Sequence, residues 1–219
     1  MHRSNLETWH GEFTEARGWG KDRRRAFLQE LHPIIRKRTK VALGTAVIKD
    51  DWEEVMPDWL KRGMGGVYGW CAHDCIVAAR VWCSRPIRNY RHPINWTFEK
   101  ATGFDGQVQV SRMFTELARE PILNKEFRVG SLTFAGKEIV PLQAADVLAY
   151  EIFKQVENQI IDEGVGRDGK PRDIRLSIKD LTRPQDLPYL KYWDRARLRE
   201  WLATSLERGA LESMKRAWA

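Results

Sequence analysis

Between Ile94 and Asn158 the chain alternates strand-like and helix-like runs, and this alternation limits the possible folds more than any other feature. Ile94-Asn95-Trp96-Thr97-Phe98 is a compact run of β-branched and aromatic residues that ends on Glu99. Gly106 to Ala118 has helical apolar spacing, and Val129 to Phe134 sets Val129, Leu132 and Phe134 among smaller residues. A second short run, Glu138 to Val140, leads into a helix from Leu142 to Asn158. Strands that alternate with helices bury their apolar faces by stacking the helices on the sheet. The pattern therefore predicts an α/β fold, with a mixed or parallel sheet and flanking helices.

Upstream, Phe27, Leu28, Leu31, Ile34 and Ile35 recur at helical spacing from Asp22 to Lys37, with Pro33 expected to kink or end the helix early. Val41 to Ile48 reads as a buried strand that stops at Asp50-Asp51, and a short helix is expected around Trp52 to Leu60. Gly65 to Cys83 carries Val67, Trp70, Cys71, Ile76, Val77 and Val81, which predicts a long, largely buried helix between glycines and Pro86. Beyond Gly164 the chain turns polar and rich in glycine and proline, before helical patterns resume at Trp193 to Leu206 and Leu211 to Trp218. The expected division is an α/β domain over residues 1–161, then a loop and C-terminal helical appendage over residues 162–219.

Composition narrows the function classes. The 219 residues are 42% hydrophobic and 31% charged, with no apolar run near the length of a membrane span. The start, Met1 to Glu7, has no apolar signal core, so a cytoplasmic location is expected. Three cysteines cannot pair completely, and Cys71 with Cys75 makes at most half of a zinc site. The net charge of +7 suits an acidic partner, most simply nucleic acid. Its densest clusters, Arg23-Arg24-Arg25 and Arg36-Lys37-Arg38-Thr39-Lys40, are explained equally well by a solvated helix face. The histidines His2, His10, His32, His73 and His92 show no ligand spacing, and His73 with Asp74 reads as a partly buried pair. Trp9, Trp19, Trp52, Trp59 and Trp70 fall near helical apolar faces and read as core rather than as a base-stacking platform. No Walker loop, dinucleotide fingerprint or nucleophile elbow is present.

The segment Pro141-Leu142-Gln143-Ala144-Ala145-Asp146-Val147-Leu148-Ala149-Tyr150 drops an amide and a carboxylate into an otherwise apolar helix start. Gln143 and Asp146 are three apart and share a face. An acid there must be balanced by hydrogen bonds, a cation or a shifted pKa, unless it lies in the first turn, where the helix dipole favours it. Both readings stay open on spacing alone.

Three features together resemble the domain-of-unknown-function family 3800, whose members look like ribonuclease H-like proteins. They are the opening His2-to-Trp19 stretch with Gly11-Glu12-Phe13 and Gly18-Trp19, the strand Trp96-Thr97-Phe98-Glu99, and the motif Gln143-Ala144-Ala145-Asp146. The likeness covers roughly the first three quarters of the chain. It implies a ribonuclease H-like sheet and a metal-dependent nuclease or nucleic-acid-processing protein that hydrolyses phosphodiesters. Glu99 and Asp146 would be the catalytic, metal-holding carboxylates for Mg²⁺ or Mn²⁺, and Gln143 would orient Asp146 or a bound water. The two acids are expected to share a cleft at one end of the sheet.

The family's acidic motif on its first strand, of Asp-Glu or Asp-x-Ser type, has no counterpart in this sequence. The chain is accordingly expected to lack the first strand or strands, and an in-frame upstream segment that encodes a strand with such a motif would make Met1 a late start and favour the enzyme reading. Asp50 and Asp51 are the nearby substitutes, against a competing reading as a helix N-cap before Trp52, and Asp105 reads as a turn and helix start near the same sheet end. The missing strand is expected to leave an open edge beside Glu99. A second copy of the chain or the segment Met1 to Trp19 would fill it, or it would stay open in a poorly soluble product. The alternative to an enzyme is a non-catalytic binding or scaffold protein that retains the fold.

Overall fold

The computed structural model describes residues 18, 20–85, 90–100, 104–119, 121–136, 138–161 and 173–207. Helix α1, Lys21–Arg38, runs through Pro33 instead of ending there. His32 is buried and Phe27, Leu28, Leu31 and Ile35 are half-buried, whereas Pro33 and Gln29 are exposed. The carbonyl that loses its partner at Pro33 is thus on the water side, and packing of the opposite face carries the helix on.

Strand β1, Gly44–Val47, is shorter than the expected run. Two short helices follow, α2 (Lys49–Val55) and α3 (Asp58–Met64), where one was expected. Pro57 makes the break: its ring pushes Met56 to an extended conformation (φ −80°, ψ 134°), which a helix cannot include. Helix α4, Gly66–Ser84, starts at Gly65 and Gly66 with φ of 72° and 73°, a left-handed corner that side-chain-bearing residues resist. At Gly69 a Cβ would run into the Met64 carbonyl oxygen, so α3 and α4 approach closely only because that position is glycine.

Next come β2 (Ile94–Glu99), α5 (Phe104–Arg119), α6 (Pro121–Phe127) and β3 (Val129–Ala135). Helix α7, Val140–Ile161, absorbs Val140, so the short strand expected at Glu138 to Val140 does not form. Helix α8 (Leu176–Leu181), a 3-10 helix (Pro184–Tyr189), β4 (Leu190–Trp193) and α9 (Arg195–Glu207) complete the described chain. The expected helix from Trp193 therefore begins two residues later, after a strand. The run Leu211 to Trp218, Trp9, Trp19, His2 and His10 lie outside the described residues.

The result is a mixed α/β structure dominated by helix. Among the described residues its strands form two separate two-stranded sheets, β1 with β4 and β2 with β3, rather than the single sheet expected. Strands β2 and β3 are parallel, pairing Trp96 with Leu132, Phe98 with Phe134 and Glu99 with Ala135, and α5 and α6 make the crossover between them. Near Ile94 the register slips, and the Asn95 side chain accepts the Ser131 N–H at 2.9 Å. One face of this pair packs Trp96, Phe98, Leu132 and Phe134 against Ala72, Ile76, Val110 and Phe114. Its other face exposes Asn95, Thr97, Ser131 and Thr133. Parallel sheets are usually covered on both sides, so two strands with a polar outer face are the least that such a crossover can support.

Internal contacts divide the chain into two compact units, residues 1–44 with 137–191, and residues 45–136 with 192–219. The divisions fall at 44, 136 and 191. In the first unit α8 packs against both α1 and α7, and Val147, Ile152, Val156, Ile178 and Leu181 are buried. Among its described residues the second unit has two apolar clusters, one on either side of α4. The larger centres on Trp70, whose ring lies 4.9 Å from Trp52, 5.4 Å from Trp193 and 4.7 Å from Trp201, with Met56, Leu60, Met64 and Leu198 around it. Trp52 and Trp70 are thus core residues, with Trp59 packed against the same cluster.

Candidate functional site

Glu99 is the last residue of β2 and is half-buried. The ladder closes one residue further on, where the Lys100 N–H donates to the Ala135 carbonyl at 2.8 Å. Tyr68 of α4 reaches the same place. Burial first, then the Glu99 charge, then Cys71 push its phenol above the ordinary value. The ring also stands over Gly106 at the start of α5, where a Cβ would collide with it. Tyr68 was not singled out in the sequence, because its spacing on α4 marks it only as one more residue of a helix face.

Gln143 and Asp146 are brought together by α7, one turn apart and both half-buried. Because the helix begins at Val140, Asp146 is its seventh residue and no acid lies in the first turn. The reading of Asp146 as a first-turn acid favoured by the dipole is corrected on that ground, since the effect fades within one turn. Glu99 belongs to the second unit and Asp146 to the first.

The substitutes have other work. Asp51 accepts the Arg195 backbone N–H at 2.9 Å and its Nε at 3.2 Å. It therefore caps an N-terminus, but that of α9 rather than of its own helix. Asp50 is exposed in the first turn of α2, and the side chain of Asp105 lies outside the described residues. His73 is held below its usual value by burial, with Asp74 opposing, and Asp74 accepts the Trp193 indole N–H at 3.0 Å. The Cys71 thiol is pushed up to about 12 by burial, then by Cys75 and Asp74.

Among the described residues no group of three or more His, Cys, Asp or Glu side chains is placed to hold a metal ion. Glu99 and Asp146 offer hard oxygen donors. Mg²⁺ is commonly held by one or two carboxylates, with water and substrate phosphate completing its shell, so this donor chemistry fits that ion.

One buried polar cluster was not singled out in the sequence, although its acid is, like Asp146, isolated in an apolar helix. Glu151 of α7 is 0% exposed, takes the Arg175 Nε at 2.9 Å and accepts the Ser177 hydroxyl. Gln155, one turn on, accepts the Arg175 backbone N–H at 2.8 Å. These bonds tie the start of α8 to α7. No helix among the described residues is long and apolar enough to cross a membrane. No family model, curated protein or solved structure matches the chain. The family likeness therefore stands on its motif residues alone.

Proposed function

We propose that this chain is a metal-dependent phosphodiester hydrolase of ribonuclease H-like type that acts on nucleic acid, with Glu99 and Asp146 holding Mg²⁺ or Mn²⁺ and Gln143 orienting Asp146. The observation that supports this reading is the strand-end position of Glu99. It terminates β2 at the carboxyl end of a parallel pair, and the partner strand β3 leads directly into the helix that carries Gln143 and Asp146. Ligands of open α/β sheets bind outside the carboxyl ends of parallel strands. A bound divalent ion supplies water activation and charge neutralisation at the leaving oxygen. The chain's own residues supply the oxygens that hold it. The free thiols of Cys71, Cys75 and Cys83 suit a reducing, cytoplasmic setting.

The test is Mn²⁺ titration by calorimetry, with cleavage assays on RNA, DNA and hybrid substrates. Glu99→Gln and Asp146→Asn should each abolish heat of binding and cleavage while the chain stays folded in EDTA. Gln143→Ala should weaken either by about 10–100-fold, as an orienting partner does. A wild-type protein that neither binds Mn²⁺ nor cleaves sinks the proposal and leaves the non-catalytic reading. A loss of more than about 2 kcal/mol for Asp146→Asn in EDTA would mark Asp146 as a structural acceptor instead.

A further inference from the structure

We infer that the exposed face of α1 is a binding surface for the phosphate backbone of nucleic acid. This rests on the proposed function for the identity of the partner and adds where the polyanion lies. Helix α1 carries Arg23-Arg24-Arg25 near its start and Arg36-Lys37-Arg38 at its end, against Asp22 and Glu30.

The ordinary explanation for cations on a helix is its dipole, which welcomes them at the C-terminal end and opposes them at the N-terminal end. The first cluster therefore stands at the wrong end. The second stands at the right end, but the carbonyls there are already served from elsewhere in the same unit. The Arg183 guanidinium donates to the carbonyls of Arg36 at 2.8 Å, Thr39 at 2.8 Å and Lys40 at 3.0 Å. Asp186, 2% exposed, backs that guanidinium at 3.9 Å and accepts the Arg183 N–H. The C-terminal cations of α1 are thus not needed as caps.

Arg25, Arg36, Lys37 and Arg38 are exposed, and none has an ion pair among the described residues. Like charges crowded at both ends of one helix repel each other, and a polyanion relieves that repulsion. At 1.5 Å per residue the two clusters are about 20 Å apart, enough to bracket a duplex groove of roughly 12 Å with a phosphate row on each side. A membrane surface fits less well. Helices that lie in lipid bury a broad apolar face, and on α1 the exposed large apolar residue is Ile34 at 58%. Since α8 packs against both α1 and α7, the basic face belongs to the unit that holds Asp146.

The experiment measures binding of the full chain to a labelled duplex of about 20 base pairs by fluorescence anisotropy in EDTA, across a salt series. The variant is Arg25→Gln/Arg36→Gln/Lys37→Gln, all three positions being exposed. Its affinity should fall about 100-fold near 0.1 M salt, and its log–log salt slope should be shallower by about 2 to 3, with an unchanged melting curve. An unaltered slope overturns the inference. Tighter binding of wild type to phosphatidylserine vesicles than to duplex also overturns it, in favour of a lipid surface. Because EDTA removes the metal, loss of duplex binding in the variant upholds this surface even where Mn²⁺-dependent cleavage by the wild type fails.

Discussion

Arg175→Met should destabilise the first unit more than Glu151→Leu, although the two changes remove the same ion pair. The reason is the difference in burial. The Glu151 side chain is 0% exposed, whereas that of Arg175 is 30% exposed at a separation of 2.9 Å. With Arg175 gone, a carboxylate is left in the interior without its cation, a situation that costs about 3–5 kcal/mol when no water can reach it. The opening on the Arg175 side admits some water, which places the expected loss near the lower figure, about 3 kcal/mol. With Glu151 gone, the guanidinium can turn outward, and the loss should be about 1–2 kcal/mol. The double variant Glu151→Leu/Arg175→Met leaves no buried charge and should return to within about 1 kcal/mol of wild type. Urea unfolding at pH 7 followed by far-UV circular dichroism measures all three. Tryptophan fluorescence is a poor reporter here, because residues 137–191 contain no Trp and the described tryptophans lie in the second unit. For Arg175→Met the melting temperature should drop by about 6–12 °C, at 2–4 °C per kcal/mol for a chain of this size. Equal losses in the two single variants, or a double variant as unstable as their sum, would refute the reasoning.

His73 titrates below its usual value in the folded state because of burial, so the unfolded chain takes up a proton first as the pH falls. Stability should therefore be lost as the pH drops from about 7 through 6.5. His73→Gln should show a smaller fall in urea midpoint between pH 7 and pH 5, and an equal fall in both proteins would exclude His73 as the cause. Cys71, with its thiol pushed up to about 12, should resist iodoacetamide at pH 8 in the native protein and label readily in urea. Peptide mapping that finds native Cys71 labelled as fast as unfolded Cys71 would count against that burial.

What was legible in the sequence is what a segment decides by itself. Helices α1, α4, α5 and α7 and strands β2 and β3 carry their own periodicity, and they occur within a few residues of where that periodicity puts them. The misses share a different cause. Strand β4 forms because Leu190–Trp193 finds β1, far upstream, and its sequence alone does not separate it from the helix that follows. Asp51 looked like a local cap and is a cap for a helix 144 residues downstream. Pro33 and Pro57 show the same limit from the other side: both are helix breakers by local chemistry, yet only Pro57 breaks one, since packing on the inner face of α1 outweighs a lost hydrogen bond that water can replace.

The same contrast bears on the site. Asp146 drew attention as an isolated acid in an apolar helix, but Glu151, five residues on, fits that description equally well. Glu151 is a structural ion-pair residue whose cation arrives from Arg175, in a stretch with no pattern to announce it. Isolation in sequence therefore identifies acids that require a counter-charge and is silent on whether a protein side chain or a metal provides it. The two answers differ in thermodynamic sign. Neutralising an acid held by a protein cation lowers stability whether or not metal is present. Neutralising one that awaits a metal leaves the metal-free protein as stable as before and removes only the stabilisation that added Mn²⁺ brings. Melting Asp146→Asn and Glu151→Gln side by side, with and without Mn²⁺, separates the two roles: added Mn²⁺ should raise the melting temperature of wild type and of Glu151→Gln but not that of Asp146→Asn, and a rise in Asp146→Asn equal to that of wild type would refute its role in holding the ion.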